Sequence, residues 1–219
     1  MISILAFSDT HGNVGAVEML VDHVMQKTYE AVIFAGDFAS FKDVQGRYEK
    51  TMELLCSLEA PCYYIFGNRD LPPPTPTYPT LLKRGAKKEI GEGIFVTADE
   101  ELVDKDTIYV SHGSSTFHRN AFLHIDGHTH LGMKYKNYLN LGFLYRDDFH
   151  GARPFLGCFW ELSVQNREVQ TTWHNLGGMR AINCHIHSDI SFYVPENWYK
   201  CPFCFNKRKE EDWVSFSQE

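Results

Sequence analysis

The chain has 219 residues, of which 43% are apolar and 22% charged, and a net charge of -7. This balance excludes a disordered or fibrous chain and allows one substantial core with room for a small appendage. The acidic excess argues against a general nucleic-acid surface, and no stretch approaches the roughly 18 apolar residues that a membrane helix needs.

Residues 2–8 read as a buried strand, and residues 13–28 follow as a helix with Val14, Val17, Val21 and Val24 on one face. Asp9-Thr10-His11-Gly12 joins the two. The unit then repeats: residues 31–35 form a strand ending in Gly36-Asp37, residues 44–59 are helix-like, and residues 61–66 form a strand ending in Gly67-Asn68-Arg69-Asp70. Strand, helix, strand, helix, strand predicts a parallel sheet with crossover helices. Beyond a proline-rich loop at 71–79, shorter strands are expected at 90–97, 107–111, 122–125, 138–141, 155–164 and 168–174, with a hairpin turn at Gln165-Asn166-Arg167. Gly177-Gly178 marks a boundary between a domain of residues 1–176 and a module of residues 177–219. The first residues carry neither a basic n-region nor a long apolar run, so the cytoplasm is the expected compartment. In that compartment the six cysteines are expected to be thiols or metal ligands instead of disulfides.

Asp9, His11, Asp37, Asn68, His112, His128 and His130 all stand just after an expected strand. Groups at the carboxyl ends of parallel strands converge on one edge of an α/β sheet, where ligands bind. Alternate residues of an extended segment point the same way, so Asp9 with His11, and His128 with His130, can each aim two groups at one place. Two carboxylates, four imidazoles and a carboxamide suit a pair of divalent ions such as zinc, iron, manganese or nickel. Each residue taken singly has a plainer reading as a turn or capping group; the ordered set does not.

In its motifs the chain resembles the calcineurin-like metallophosphoesterases, whose blocks run Asp-x-His, Gly-Asp, Gly-Asn-His-Asp, His-Gly and Gly-His-x-His. Here they stand as Asp9-Thr10-His11, Gly36-Asp37, Gly67-Asn68-Arg69-Asp70, His112-Gly113 and Gly127-His128-Thr129-His130, and Asn140-Leu141-Gly142 continues the likeness. The resemblance implies an α/β/β/α sandwich: two mixed sheets, flanked by helices. It implies that Asp9, His11 and His130 hold one metal, that Asn68, His112 and His128 hold the other, and that Asp37 bridges them. It also implies hydrolysis of a small phosphate ester, with a shared water whose pKa the two ions lower as it attacks phosphorus in line. A nuclease and a non-catalytic scaffold of the same fold are the alternatives, and oligomeric state is left open.

One block departs from the family. Where the family has histidine, thought to assist the leaving group and to be oriented by the next aspartate, this chain has Arg69 followed by Asp70. An arginine does not give up its proton, but its planar fork can bind a phosphate oxygen. The expectation is a phosphodiesterase preference, with good leaving groups favoured over alkyl monoesters. His118 and His150 are the other imidazoles in loop-like stretches. In the tail, Cys184, His187, Cys201 and Cys204 form a C-x2-H and a C-x2-C that resemble a zinc ribbon holding a structural zinc.

Overall fold

The computed structural model describes residues 1–38, 46–70, 81–114, 117–146 and 154–205. Its first half runs β1 (Ile2–Phe7), α1 (Val14–Val24), β2 (Ala31–Phe34), α2 (Arg47–Cys56), β3 (Cys62–Tyr64), β4 (Lys87–Gly91), β5 (Ile94–Thr97) and β6 (Thr107–Ser111). It continues with β7 (Leu123–Asp126), β8 (Gly132–Tyr135), β9 (Tyr138–Leu141), β10 (Tyr145–Arg146), β11 (Phe155–Leu156), β12 (Cys158–Gln165), β13 (Glu168–Asn175), β14 (Met179–Asn183), β15 (Ser191–Pro195) and α3 (Pro202–Phe205).

Apart from the two-stranded pair β10-β11, these strands form two large mixed sheets. The first has the order β13-β12-β1-β2-β3, and the second β14-β15-β8-β9-β7-β6-β5-β4. As expected, β1, β2 and β3 pair in parallel. Strand β1 shows why the sheets stack. Its even residues Ile2, Ile4 and Ala6 join Val96, Ile108, Val110, Ile125 and Leu139 of the second sheet in one buried cluster. Its odd residues Leu5 and Phe7 meet Val17, Leu20 and Met52 of the two helices. A strand covered on both faces has little reason to alternate apolar with polar, and in β1 the half-buried Ser3 alone interrupts the apolar run. Trp160 ties the layers together: it is fully buried, and its Nε1 donates to the Leu141 carbonyl of the opposite sheet at 3.1 Å.

Helix α1 begins where the sequence places it, because the Asn13 side chain accepts the Ala16 N–H at 2.8 Å and caps the first turn. Both longer helices cover the first sheet. On the outer face of the second, the described residues offer a 3-10 turn at Glu100–Leu102, the single turn α3 and an aromatic cluster of Phe117, Tyr135, Tyr138, Phe192 and Phe203. The expected run at 90–97 is a hairpin, since Gly91, Glu92 and Gly93 all take positive φ and reverse the chain between β4 and β5. The turn at Asn166 and Arg167 is present, and β13 pairs back along all of β12. Strands β8, β10, β14 and β15 were not expected. Through β15, which pairs with β8, residues 179–195 extend the second sheet. No described helix is long and apolar enough to cross a membrane.

Candidate metal centre

The carboxyl ends of β1, β2 and β3 in one sheet and of β6 and β7 in the other open onto a common edge. Donor atoms of Asp9, His11 and His130 gather there in one group, and those of Asp37, His112 and His128 in a second, each group within 4.8 Å. In the first, His130 Nε2 stands 3.0 Å from His11 Nε2 and 3.1 Å from Asp9 Oδ1. In the second, His112 Nε2 lies 3.4 Å from Asp37 Oδ1 and 3.2 Å from Asn68 Oδ1, and His128 Nδ1 lies 2.9 Å from that same Asn68 oxygen. Asn68 thus stands with the second group.

The backbone differs from the extended geometry expected of Asp-x-His and His-x-His. Asp9, His11, Asp37, His128 and His130 all have φ between 46° and 73°. Left-handed backbone at non-glycine residues costs about 1 to 3 kcal/mol each and persists only where the surroundings fix it. The turns also separate neighbours, so that His128 joins one group and His130 the other.

What fixes them is a set of loop-to-loop hydrogen bonds. The Asp37 carbonyl accepts the N–H groups of Thr10 and His11, and the His128 N–H donates to Asp9 Oδ2 at 3.1 Å. Asp70 Oδ2 accepts from the N–H groups of Asp37 at 2.9 Å and Gly67 at 2.8 Å, while the Arg69 N–H donates to Asp37 Oδ1 at 2.8 Å. Asp70 is therefore a tie between the second and third strand ends, and Arg69 holds the Asp37 carboxylate through its backbone. Gly67 is required at this approach, because a Cβ there would lie 2.1 Å from Asp37 Oδ1.

Both donor groups fit a divalent ion. Oxygens and nitrogens sharing an ion at about 2.1 Å stand roughly 3.0 Å apart in an octahedron and 3.4 Å apart in a tetrahedron. The separations above match these edges, and the third pair of the first group, His11 Nε2 to Asp9 Oδ1, is wider at 3.8 Å. The His112 Nδ1 lies 2.6 Å from the Ala35 carbonyl and donates to it, leaving Nε2 to face Asp37 and Asn68. Electrostatics agree. Burial works against a charge on His112, yet the Asp37 hydrogen bond and the fields of Asp9 and Asp37 carry its pKa up to about 9. Burial pushes the Asp9 carboxyl up, but the His130 hydrogen bond and the neighbouring imidazoles hold it below its ordinary range. The pocket as built draws in positive charge.

A model of the calcineurin-like phosphoesterase family matches residues 2–214. This chain belongs to the calcineurin-like phosphoesterases. It is accordingly a metal-dependent phosphoesterase. A solved structure from Thermus thermophilus shares its fold, with a TM-score of 0.51 at 16% identity over 78% of this chain and 98% of that one. A phosphoesterase from E. coli aligns at 13% identity over 80% of this chain and 100% of that one, TM-score 0.46. A predicted phosphoesterase from Streptococcus pneumoniae aligns at 16% identity over 80% and 89%, TM-score 0.47. No curated protein matches the chain.

Beside His112 this phosphoesterase has a cleft of about 560 Å³, lined by the apolar Phe66, Leu82 and Val110 and by the polar or charged Arg84, Glu100 and Ser114. Of the two spare imidazoles, His118 packs its ring against Tyr109 and His124 and turns Nε2 toward Glu100 at 3.7 Å. His150 lies outside the described residues.

The sequence reading missed Asp126. This buried carboxylate accepts the N–H groups of Gly113 at 2.8 Å and Gly127 at 3.0 Å on one oxygen, and the Tyr138 hydroxyl at 3.0 Å on the other. It therefore clamps the residues that follow His112 and precede His128. Ser111 also donates to it at 2.9 Å and lies 2.8 Å from His124 Nε2, while His124 Nδ1 accepts the His118 N–H at 3.3 Å. In sequence, His124 and Asp126 alternate with Leu123 and Ile125 as a solvent-facing set would, but the aromatic cluster covers that face. The one available signal was a carboxylate directly before the Gly-His-x-His block.

Proposed function

We propose that this calcineurin-like phosphoesterase is a dinuclear phosphodiesterase, in which Asp9, His11 and His130 hold one ion, Asn68, His112 and His128 hold the other, and Asp37 stands between them. The observation that carries this is the gathering of two donor groups, spaced for divalent ions, on one edge of the sandwich. Manganese, iron, zinc and nickel all suit the donor set. When bound, such a pair supplies Lewis acidity toward the phosphoryl oxygens and brings the pKa of a bound water toward neutrality.

The chain's own residues do the rest. Asn68 is a neutral oxygen donor and adds no negative charge beside His112 and His128. Asp70 keeps the loop closed through two N–H groups, which holds Arg69 next to Asn68. From there the guanidinium neutralises a non-bridging phosphate oxygen without passing a proton. General acid help is typically worth about 10² to 10⁴ in rate, so its loss falls hardest on poor leaving groups. Phe66, Leu82 and Val110, which line the cleft beside His112, are apolar contacts suited to an aryl leaving group. A net charge of -7 favours a small phosphate ester over a nucleic acid, and the cytoplasm is the proposed location.

The test is a panel with the manganese-loaded protein: a bis-aryl phosphodiester, an aryl monoester, an alkyl monoester and single-stranded DNA. The diester is expected to exceed the alkyl monoester by at least about tenfold in kcat/KM. Asp37→Asn should remove about two orders of magnitude from every activity. Equal turnover of the alkyl monoester, or preference for DNA, would overturn the diesterase reading.

A further inference from the structure

Four donors of another kind meet away from the active-site edge. Cys184 and His187 lie in the loop between β14 and β15; Cys201 immediately precedes α3, and Cys204 lies within it. His187 Nδ1 stands 3.5 Å from the sulphurs of Cys184 and Cys201 and 3.6 Å from that of Cys204, and the Cys184 and Cys204 sulphurs are 3.6 Å apart. A tetrahedral ion with bonds of about 2.3 Å to sulphur and 2.1 Å to nitrogen requires edges near 3.6 Å between sulphur and nitrogen and near 3.8 Å between sulphurs. All three cysteines are free thiols. The backbone N–H groups of Ile186 and His187 are directed at the Cys184 sulphur, as they are when a thiolate is held at a metal. His187 is buried, with the edge of the Phe203 ring against it at 5.4 Å, so its Nδ1 is committed to the sulphurs. Three thiols and one imidazole, with no carboxylate in the group among the described residues, describe a structural zinc site.

We propose that this site binds a third, structural zinc ion, and that the zinc fastens the tail over the second sheet. Strand β15 joins β8 through only three residue pairs, Ser191↔Lys134, Phe192↔Met133 and Tyr193↔Gly132. Helix α3 is a single turn, too short to hold itself. Between them they cover Met133, Tyr135 and Tyr138 with Phe192 and Phe203. The zinc cross-links the hairpin loop to α3 and so closes this cover. Strand β8 starts two residues after His130, so the clamp supports the strand that leaves the metal centre.

The experiment uses the full chain with Asp37→Asn, which weakens the active-site donor set and leaves the tail intact. After dialysis it is expected to retain one equivalent of zinc per chain, and after cobalt exchange to show thiolate-to-cobalt charge-transfer absorption. Cys201→Ser/Cys204→Ser should lose that equivalent and the absorption, with a fall in Tm of about 5 to 10 °C. An Asp37→Asn chain that gives no cobalt-thiolate band, whatever zinc it holds, would overturn the proposal. That result would stand even if the cysteine variant did not fold, and it is independent of the phosphodiester panel.

Discussion

Two residues at the metal centre separate backbone from side chain in their roles. Arg69 donates its N–H to Asp37 Oδ1, a bond that any non-proline residue at this position keeps. Replacing the side chain therefore tests the guanidinium alone. Arg69→Ala is expected to lower kcat/KM for the diester about 10- to 100-fold with bound metal unchanged, as measured by kinetics beside elemental analysis. Arg69→His supplies a group that can donate a proton, and should raise alkyl monoester turnover relative to the diester. Asp126 acts by position: its two oxygens take up Gly113, Gly127, Ser111 and Tyr138. Asp126→Asn sets an amide N–H₂ against one of these donors. Manganese affinity, read by calorimetric titration, should fall about 10- to 100-fold for one of two ions, with about 1 to 3 kcal/mol of stability. Unchanged affinity of both ions would remove Asp126 from the centre.

At the scale of elements, the strand ends are forced together by close backbone approach. Gly127 lies where β7 ends; a Cβ there would stand 2.2 Å from Ser8 Oγ and 2.8 Å from the Ala35 carbonyl, at the ends of β1 and β2. Gly127→Ala must part the two sheets at the site edge, and should cost about 1 to 3 kcal/mol in urea unfolding together with metal binding. Strands β1 and β2, covered on both faces, were legible because such burial favours a nearly unbroken apolar run, and β6 because Ile108, Tyr109 and Val110 form a short one between Thr107 and Ser111. Strands β8 and β14 were not. β8 starts at a glycine directly behind the histidine block, and β14 is largely exposed at the sheet edge, so neither carries a hydrophobic pattern of its own.

For the molecule as a whole, the buried network behind the site predicts a pH dependence. Burial drives the His124 pKa down to about 3, well below the ordinary value near 6.5. The fold thus prefers neutral His124, and the corresponding stability is complete above about pH 6.5 and is lost as pH falls from there toward 3. The slope attributable to this one proton approaches about 1.4 kcal/mol per pH unit within that window. Denaturant midpoints at pH 7, 6 and 5 should fall more steeply for the native chain than for His124→Gln. Equal slopes would mean that the native state accepts the proton at His124.

Local sequence accounts for the alternation of strands and helices in the first half, the turn at Asn166 and Arg167, and the chemical character of the site. These follow from short-range causes: apolar periodicity, glycines at reversals, and ligand-type residues placed directly after strands. Tertiary structure then places the donors: left-handed turns at His128 and His130 send these two neighbours to different groups, whereas Asp9 and His11, also left-handed, stay together in one. It also decided that Asp126 is buried and that the tail's first hairpin belongs to the second sheet. Those facts depend on which surfaces meet, and a face is polar or buried only once its partner is in place.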